Sequence, residues 1–240
     1  MRFIHHESVG STQDEARALY LAGERGPLWI SADEQTKGRG RLGRHWSSPA
    51  GNLAATLLHP TTAEPGQAAL YGFAASLAVA ESIERYRPTK PVTLKWPNDV
   101  LVGGAKISGL LIEREAEALL VGIGVNLLGH PANTPYPATH LVAEMHNFDL
   151  QGAEPLFTGA RAFLAILSNE ITQRFLQLEK GSFERIRRDW LIRAHGLGER
   201  LTVNGVTGVF TDLGVDGALC LSLSDGTKHR VHAGDVSFGA

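Results

Sequence analysis

Apolar residues recur at three- and four-residue spacing from Gln67 to Tyr86, with Leu70, Phe73, Leu77 and Ala80 in step, and Pro88 and Pro91 mark the exit. This is the period of a helix. The stripe Phe163, Leu164, Leu167, Ile171, Phe175 and Leu178 predicts a second long helix, starting at Pro155 and running to Lys180 before Gly181. Ser182 then stands as the cap of a further helix reaching Ala194. Nearer the start, Ser11 and Thr12 precede Asp14 and Glu15 in a capping pattern, which predicts a helix over Thr12 to Glu24 ended by Gly23 to Pro27. Strands are predicted over Arg2 to His5, Leu28 to Ser31, Asn52 to Leu58, Val92 to Lys95, Val100 to Val102, Ile107 to Arg114 and Ala118 to Asn126. The last two read as a pair around the acidic turn Glu115 to Glu117. Gly129 to Pro155 has no sustained period and reads as loop with at most one helical turn.

The texture changes after His195-Gly196-Leu197-Gly198. Short strands with Gly and Asp turns follow, over Leu201 to Val203, Val206 to Asp212, Ala218 to Ser224 and Arg230 to Phe238. Leu219, Leu221 and Leu223 alternate with Cys220, Ser222 and Ser224, so one face is buried. The expectation is an α+β domain over residues 1–195, a sheet flanked by helices, followed by a small β-barrel over residues 196–240.

Composition narrows the function classes. At 240 residues and 43% hydrophobic content the chain can bury a sizeable core, and 20% charged residues exclude a disordered polyelectrolyte. A sequence pI near 6.6 offers no general attraction to nucleic acid or anionic lipid. The single cysteine, Cys220, has no internal disulfide partner, and Met1 to Gly10 lacks an apolar signal segment. The longest apolar run, Ala68 to Ala80, falls short of the ~20 residues that span a bilayer. A cytoplasmic protein without membrane association is the expectation.

Charge is distributed unevenly. Lys37 to Trp46 holds four fixed cations and three glycines in a chain of net charge -2. Crowded guanidinium groups repel unless an anion joins them, glycines let backbone approach such an anion, and Arg forks grip phosphate oxygens in pairs. A solvated basic turn remains the alternative. Gly38, Gly40 and Gly43 also spell the dinucleotide or kinase spacing, but Ser47-Ser48-Pro49 follows where a helix should open, and no kinase catalytic motif lies downstream. Lys95 before Trp96-Pro97, and Lys106 after Gly103-Gly104, are each compatible with ordinary surface lysines, and Asn98-Asp99 with ordinary turn chemistry. His5, His6, His229 and His232 share no zinc-like spacing with a Cys or carboxylate, so no residue is assigned as a metal ligand. No serine-hydrolase elbow is present.

Four motifs in order carry more than any one alone. Gly38-Arg39-Gly40-Arg41 through Trp46, Lys95-Trp96-Pro97-Asn98-Asp99, Lys106-Ile107-Ser108-Gly109 and Gly122-Ile123-Gly124-Val125-Asn126 together resemble the biotin protein ligases, and Ser11-Thr12 and Gly234-Asp235-Val236-Ser237 fit as well. The resemblance implies a central mixed sheet like that of class II aminoacyl-tRNA synthetases, with an SH3-like C-terminal barrel. It implies that biotin and MgATP give biotinyl-5'-AMP, and that a lysine of a biotin carrier protein then takes the biotinyl group. By similarity, Ser11, Thr12, Gln13, Gln35, Gly109 and the Arg39-Gly40-Arg41 backbone hold biotin, with Lys106 touching its carboxylate and the α-phosphate. Arg39 and Arg41 order the loop around the phosphate, Trp46 covers the adenine, Asn126 reads the adenine edge, and Lys95 and Asn98 complete the ATP side. Asp99 is a candidate for orienting the acceptor amine or Mg2+. Gln13 departs from the family pattern, which has Asn there.

The nearest rival is a lipoate or octanoyl protein ligase or transferase of the same fold. Ser11, Thr12 and Gln35 argue against it, because an alkyl chain or dithiolane offers them no hydrogen-bond partner. A biotin-responsive repressor is the rival of another class. The catalytic pattern begins close to Met1, so no DNA partner is expected. Apolar strands of the central sheet are compatible with a homodimer.

Overall fold

The computed structural model describes residues 1–145, 159–181 and 183–238. Seven strands form one mixed sheet: β1 (Arg2–Val9), β2 (Leu28–Gln35), β3 (Leu53–Pro60), β4 (Val92–Lys95), β5 (Asp99–Val102), β6 (Ala105–Glu115) and β7 (Ala118–Val125). Their spatial order is β1-β2-β3-β7-β6-β5-β4. β1 and β2 pair in parallel, and every other neighbouring pair is antiparallel. A parallel pair needs a crossover, supplied here by α1 (Thr12–Leu21).

Strand alternation sends side chains to two cores. Leu28, Ile30, Leu58 and Leu120 meet Ala16 of α1 on one face. Trp29, Leu57, Leu119 and Val121 join the larger core on the other, against α2 (Ala68–Glu84), α4 (Ala160–Lys180) and α5 (Phe183–Ile192). Every residue of α2 from Leu70 to Ala80 is buried. The buried hydroxyls of Ser76 and Ser82 donate to carbonyls of their own helix, so they are satisfied in place. On α4 the predicted stripe of Phe163, Leu164, Leu167, Ile171 and Phe175 is buried. A short helix, α3 (Leu141–Glu144), is the single turn expected in the long connection.

Five antiparallel strands form the second sheet, in the order β11-β10-β9-β8-β12. They are β8 (Arg200–Val203), β9 (Val206–Leu213), β10 (Leu219–Ser222), β11 (Lys228–Val231) and β12 (Val236–Phe238). Their apolar faces are continuous with the main core. Trp96 ties the two sheets together, since its indole is buried and its Nε1 donates to the Gly217 carbonyl at 3.1 Å. Arg187 of α5 binds Asp212 of β9 through two bonds of 2.5 and 2.6 Å.

The expected α+β architecture with a mixed central sheet and a small C-terminal β-unit is therefore the observed one. Several boundaries differ, four of them with a clear cause. β1 runs on to Val9 and β2 to Gln35, because their parallel pairing continues past the apolar positions through Ser8 and Glu34. α1 stops at Leu21, before Gly23 at φ 101°. The expected strand Arg230 to Phe238 is two strands, broken at His232 to Asp235, where the chain leaves the sheet to meet the basic loop. The predicted helix start at Pro155 and the cap Ser182 lie outside the described residues.

Candidate active site

A cavity of about 90 Å³ lies where the β1–α1 connection, the β2–β3 loop and the middle of β6 and β7 converge. One end is a lattice of uncharged polar groups. Ser11 caps α1, its Oγ accepting from the Gln13 amide at 3.2 Å. Gln35, at the end of β2, accepts at Oε1 from the Thr12 amide at 2.8 Å and the Thr12 hydroxyl at 3.0 Å. The Thr12 hydroxyl lies 2.9 Å from that of Thr56 on β3, which donates to Gln13 Oε1 at 3.1 Å. Gln13 Nε2 donates to the Leu120 carbonyl of β7 at 3.1 Å. The residue that departs from the family pattern is thus held by β3 and β7. Gly122 makes the room for it, since a Cβ there would lie 2.6 Å from Gln13 Oε1.

The β2–β3 loop closes on itself. The Gly40 amide donates to the Arg44 carbonyl at 2.7 Å, and the Trp46 amide to the Gly38 carbonyl at 2.9 Å. This delivers the Trp46 ring onto the bare backbone of β7, where a Cβ at Gly124 would lie 2.3 Å from the ring. The Lys106 ammonium sits 5.6 Å from the Trp46 ring centre, 5.1 Å from the Tyr136 ring centre and 2.7 Å from Asp99 Oδ1. Cations over aromatic faces are attracted by the ring quadrupole, so two rings and a carboxylate fix one charge at the cavity wall.

Each arginine of the β2–β3 loop also has a carboxylate nearby. Arg39 grips Asp14 with two bonds of 2.5 and 2.6 Å, and this hydrogen bonding holds the Asp14 carboxyl below the usual carboxylate range. Arg44 pairs with Asp235, whose other oxygen is 3.8 Å from Arg41. Arg41 is half-buried, its Nη1 within 3.3 Å of both Asn98 Oδ1 and the Gly234 carbonyl. Burial lowers its pKa, with Asp99 opposing the shift. From the sequence alone, these crowded arginines call for an external anion. Three aspartates from α1, β5 and the β11–β12 connection already relieve that crowding, and an anionic ligand must compete with them.

Of the residues singled out from sequence, Ser11, Thr12, Gln13, Gln35, Arg39, Gly40, Arg41, Trp46, Asn98, Asp99, Lys106 and Gly109 line this one cavity. Two do not. Asn126 is buried with its Nδ2 donated to the Thr139 carbonyl at 3.0 Å, bracing the loop that carries Tyr136. Lys95 lines a neighbouring cavity instead. The structure adds Thr56, Arg44, Tyr136 and Asp235 to the wall. Arg44 and Asp235 stood inside motifs already noted. Thr56 is one hydroxyl in an apolar strand, and Tyr136 lies in a proline-rich loop without period, so neither had a sequence signal of its own.

Residues 8–129 match the Biotin/lipoate A/B protein ligase family, and residues 196–239 match the Biotin protein ligase C terminal domain. Among similar proteins is the biotin--[acetyl-CoA-carboxylase] ligase of Paracoccus denitrificans, 37% identical over 237 residues, covering 93% of this chain and 96% of that one. The bifunctional ligase/repressor BirA of Bacillus subtilis is 29% identical over 98% of this chain and 74% of its own length. Among solved structures, the biotin protein ligase from Aquifex aeolicus in complex with biotin and ATP superposes with a TM-score of 0.83 at 27% identity, over 99% of this chain and 98% of that one. With fold, motif order and near-full-length relatives in agreement, the chain belongs to the Biotin/lipoate A/B protein ligase family, among its biotin protein ligases.

Proposed function

We propose that this protein activates biotin with ATP as biotinyl-5'-AMP and transfers the biotinyl group to a lysine of a biotin carrier domain, working in the cytoplasm. The observation that carries the reading is a single cavity with uncharged donors and acceptors at one end, Lys106 and Arg41 at the other, and Trp46 between them. The ureido ring of biotin suits Ser11, Thr12, Gln13 and Gln35, because buried polar groups demand partners of their own kind. A dithiolane or alkyl chain would leave them unpaired. The carboxylate then reaches Lys106, where its oxygen attacks the α-phosphorus while the bond to the β-phosphate breaks and pyrophosphate leaves with the electron pair. Fixed cations that neutralise the developing charge are the main requirement of such a step. Lys106 and Arg41 supply them, with Arg39 ordering the loop from its anchor on Asp14. Trp46 over the nucleotide excludes water from the mixed anhydride. Asn98, Lys95 and Asn126 belong to the nucleotide side in this reading, Asn126 through the loop it braces.

Mg2+ enters with the phosphates. Among the described residues no cluster of three His, Cys, Asp or Glu forms a ready cage, and Mg2+ commonly takes one or two carboxylates plus phosphate oxygens. Asp99 is the carboxylate placed for it, and the ion would neutralise phosphate charge. In the second step the carrier amine attacks the biotinyl carbonyl carbon and AMP leaves; Asp99 also stands where it can orient that amine. We assign residues 1–195 to the catalytic domain and 196–240 to the barrel. Pairing of two chains and the absence of sequence-specific DNA binding complete the reading, to be checked by sedimentation with and without biotin and by operator shift assays. The deciding experiment is biotin-dependent exchange of pyrophosphate into ATP, followed by transfer to a carrier domain. Exchange driven by lipoate or octanoate in preference to biotin would refute it.

A further inference from the structure

Lys106 reaches the cavity through an irregularity in its own strand. Gly109 and Leu111 of β6 line the site, and successive side chains of a strand alternate between faces, so in a regular strand residue 106 would point the other way. It does not, because β6 bulges against β5. Val100 stands opposite Ser108 and Leu101 opposite Lys106, which leaves Ile107 as the extra residue. One extra residue exchanges the two faces beyond it and re-aims the side chains there. Ile107 is buried in the main core, and Lys106 turns to the cavity, its Nζ 3.4 Å from where a Cβ on Gly109 would stand.

A bulge disrupts the ladder where it occurs, and at Lys106 a segment from outside the sheet takes over. The Lys106 amide donates to the Pro137 carbonyl at 2.8 Å, and its carbonyl accepts from the Thr139 amide at 2.9 Å, a parallel bridge centred on Ala138. Thr139 is buried and held at its other groups too. Its carbonyl accepts from Asn126 Nδ2 at 3.0 Å, and its hydroxyl donates to Glu144 Oε1 at 2.7 Å. Glu144 closes α3 and is only 5% exposed. A buried carboxylate is costly unless it is paired and hydrogen-bonded. Lys90 supplies the charge, its Nζ 3.1 Å from Oε2, and the Glu144 carbonyl accepts from the Thr89 amide at 2.7 Å. Two anchors on the α2–β4 connection thus fix Glu144, Glu144 fixes Thr139, and Thr139 fixes the backbone of Lys106.

We propose that Thr139 and Glu144 are positioning residues for adenylate formation, holding the 137–139 segment against the β6 bulge so that the Lys106 ammonium stays aimed at the reacting phosphate. The inference rests on the adenylation reading and deepens it. Neither residue is part of the cavity wall, so each acts through the Lys106 backbone and not by touching a substrate. The side chain of Lys106 is long, and its direction at the cavity is set at the root by those two backbone bonds. Without the Thr139 hydroxyl on Glu144 the segment can withdraw, the bulge can relax toward regular pairing, and regular pairing turns Lys106 away. The buried carboxylate of α3 therefore serves the site from outside it.

The test uses the full chain and two readouts. Single-turnover formation of biotinyl-5'-AMP measures what Lys106 does, and competitive labelling with acetic anhydride, quantified lysine by lysine by mass, measures how firmly it is held, with the exposed Lys180 as reference. Thr139→Val keeps the shape and removes the hydroxyl. It is expected to slow adenylation about tenfold, part of the ~10²-fold that a 1 Å misplacement can cost, with the KM for biotin within about twofold. Labelling of Lys106 relative to Lys180 should rise about threefold, the scale of one lost hydrogen bond. Thr139→Ser should restore both readouts, and Glu144→Gln should move both in the same direction by about threefold. In a Lys106→Ala background Thr139→Val should add less than about twofold, because losses that act through one group do not add. A tenfold loss that persists in that background overturns the inference and makes Thr139 a general brace of the fold. Adenylation at the normal rate in Thr139→Val, or unchanged labelling of Lys106, also overturns it. If the unaltered protein forms no adenylate while the labelling responds as expected, the adenylation reading falls and the positioning of Lys106 by Thr139 stands.

Discussion

Gly122 and Gly124, two residues apart on β7, separate the two ends of the site, and alanine at each should damage a different substrate. A Cβ at Gly124 would lie 2.3, 2.4 and 2.5 Å from three atoms of the Trp46 ring. Carbon atoms rest about 3.5–4.0 Å apart, so the ring must retreat by more than about 1 Å. Trp46 is on a partly exposed loop whereas Gly124 is bonded between β3 and β6, so the ring is what moves. Neither glycine has a positive φ, and removing a glycine without strain stabilises by about 0.4–1 kcal/mol through the unfolded chain. Gly124→Ala should therefore keep its melting temperature within a few degrees. A misplacement of about 1 Å can cost about 10²-fold in rate, and that is the loss expected in kcat/KM for ATP, with the KM for biotin nearly unchanged. At Gly122 the collision is with Gln13 Oε1, 2.6 Å away. Gly122→Ala should raise the KM for biotin roughly tenfold, about one hydrogen bond's worth, and spare ATP. Both constants come from pyrophosphate-exchange kinetics with each substrate varied in turn. If Gly124→Ala binds ATP normally, or if both variants lose both substrates alike, the assignment of the two ends is wrong.

Other expectations follow from the same geometry. Lys106→Ala and Arg41→Ala should each slow single-turnover adenylate formation by about 10²–10³, the usual cost of one charge-stabilising donor, with circular dichroism unchanged; adenylation at the normal rate would remove that residue from the site. Thr56→Val keeps shape but leaves Gln13 Oε1 without its hydroxyl donor, so biotin binding by calorimetry should weaken by about 1 kcal/mol, and unchanged affinity would show the lattice does not reach the ligand. His59 is mostly buried, and burial lowers its pKa against the opposing pull of Glu179. Its folded pKa lies below the unfolded value, so protonation favours unfolding. Stability should fall as pH drops below about 6.5, the unfolded value, and level off below the folded pKa. The fall in melting temperature from pH 7.5 to 5 should shrink in His59→Gln; an unaltered difference would assign the acid sensitivity elsewhere.

The fold was largely readable because its elements are strongly patterned. α4 advertises its buried stripe, and the β6–β7 hairpin advertises its acidic turn, where Ala116 adopts φ 38°. Boundaries were less readable where pairing outruns apolar character, as at Ser8 and Glu34. Within the site, glycines and cations gathered into short motifs could be picked out, since each motif concentrates residues that are costly elsewhere. Their partners could not. Asp14, Asp99 and Asp235 reach the cations from α1, β5 and the β11–β12 connection, and no local pattern encodes that convergence. Asn126 illustrates the reverse limit, since its motif marks it but its amide is spent on the Thr139 carbonyl.

The claim beneath all of these is that one cavity joins biotin to a nucleotide at Lys106. It is tested most directly by mixing excess protein with biotin and ATP, quenching, and identifying the product by mass. The account predicts biotinyl-5'-AMP approaching one equivalent per chain with the unaltered protein and almost none with Lys106→Ala. Failure of the unaltered protein to form the adenylate, or equal yield from Lys106→Ala, would contradict it.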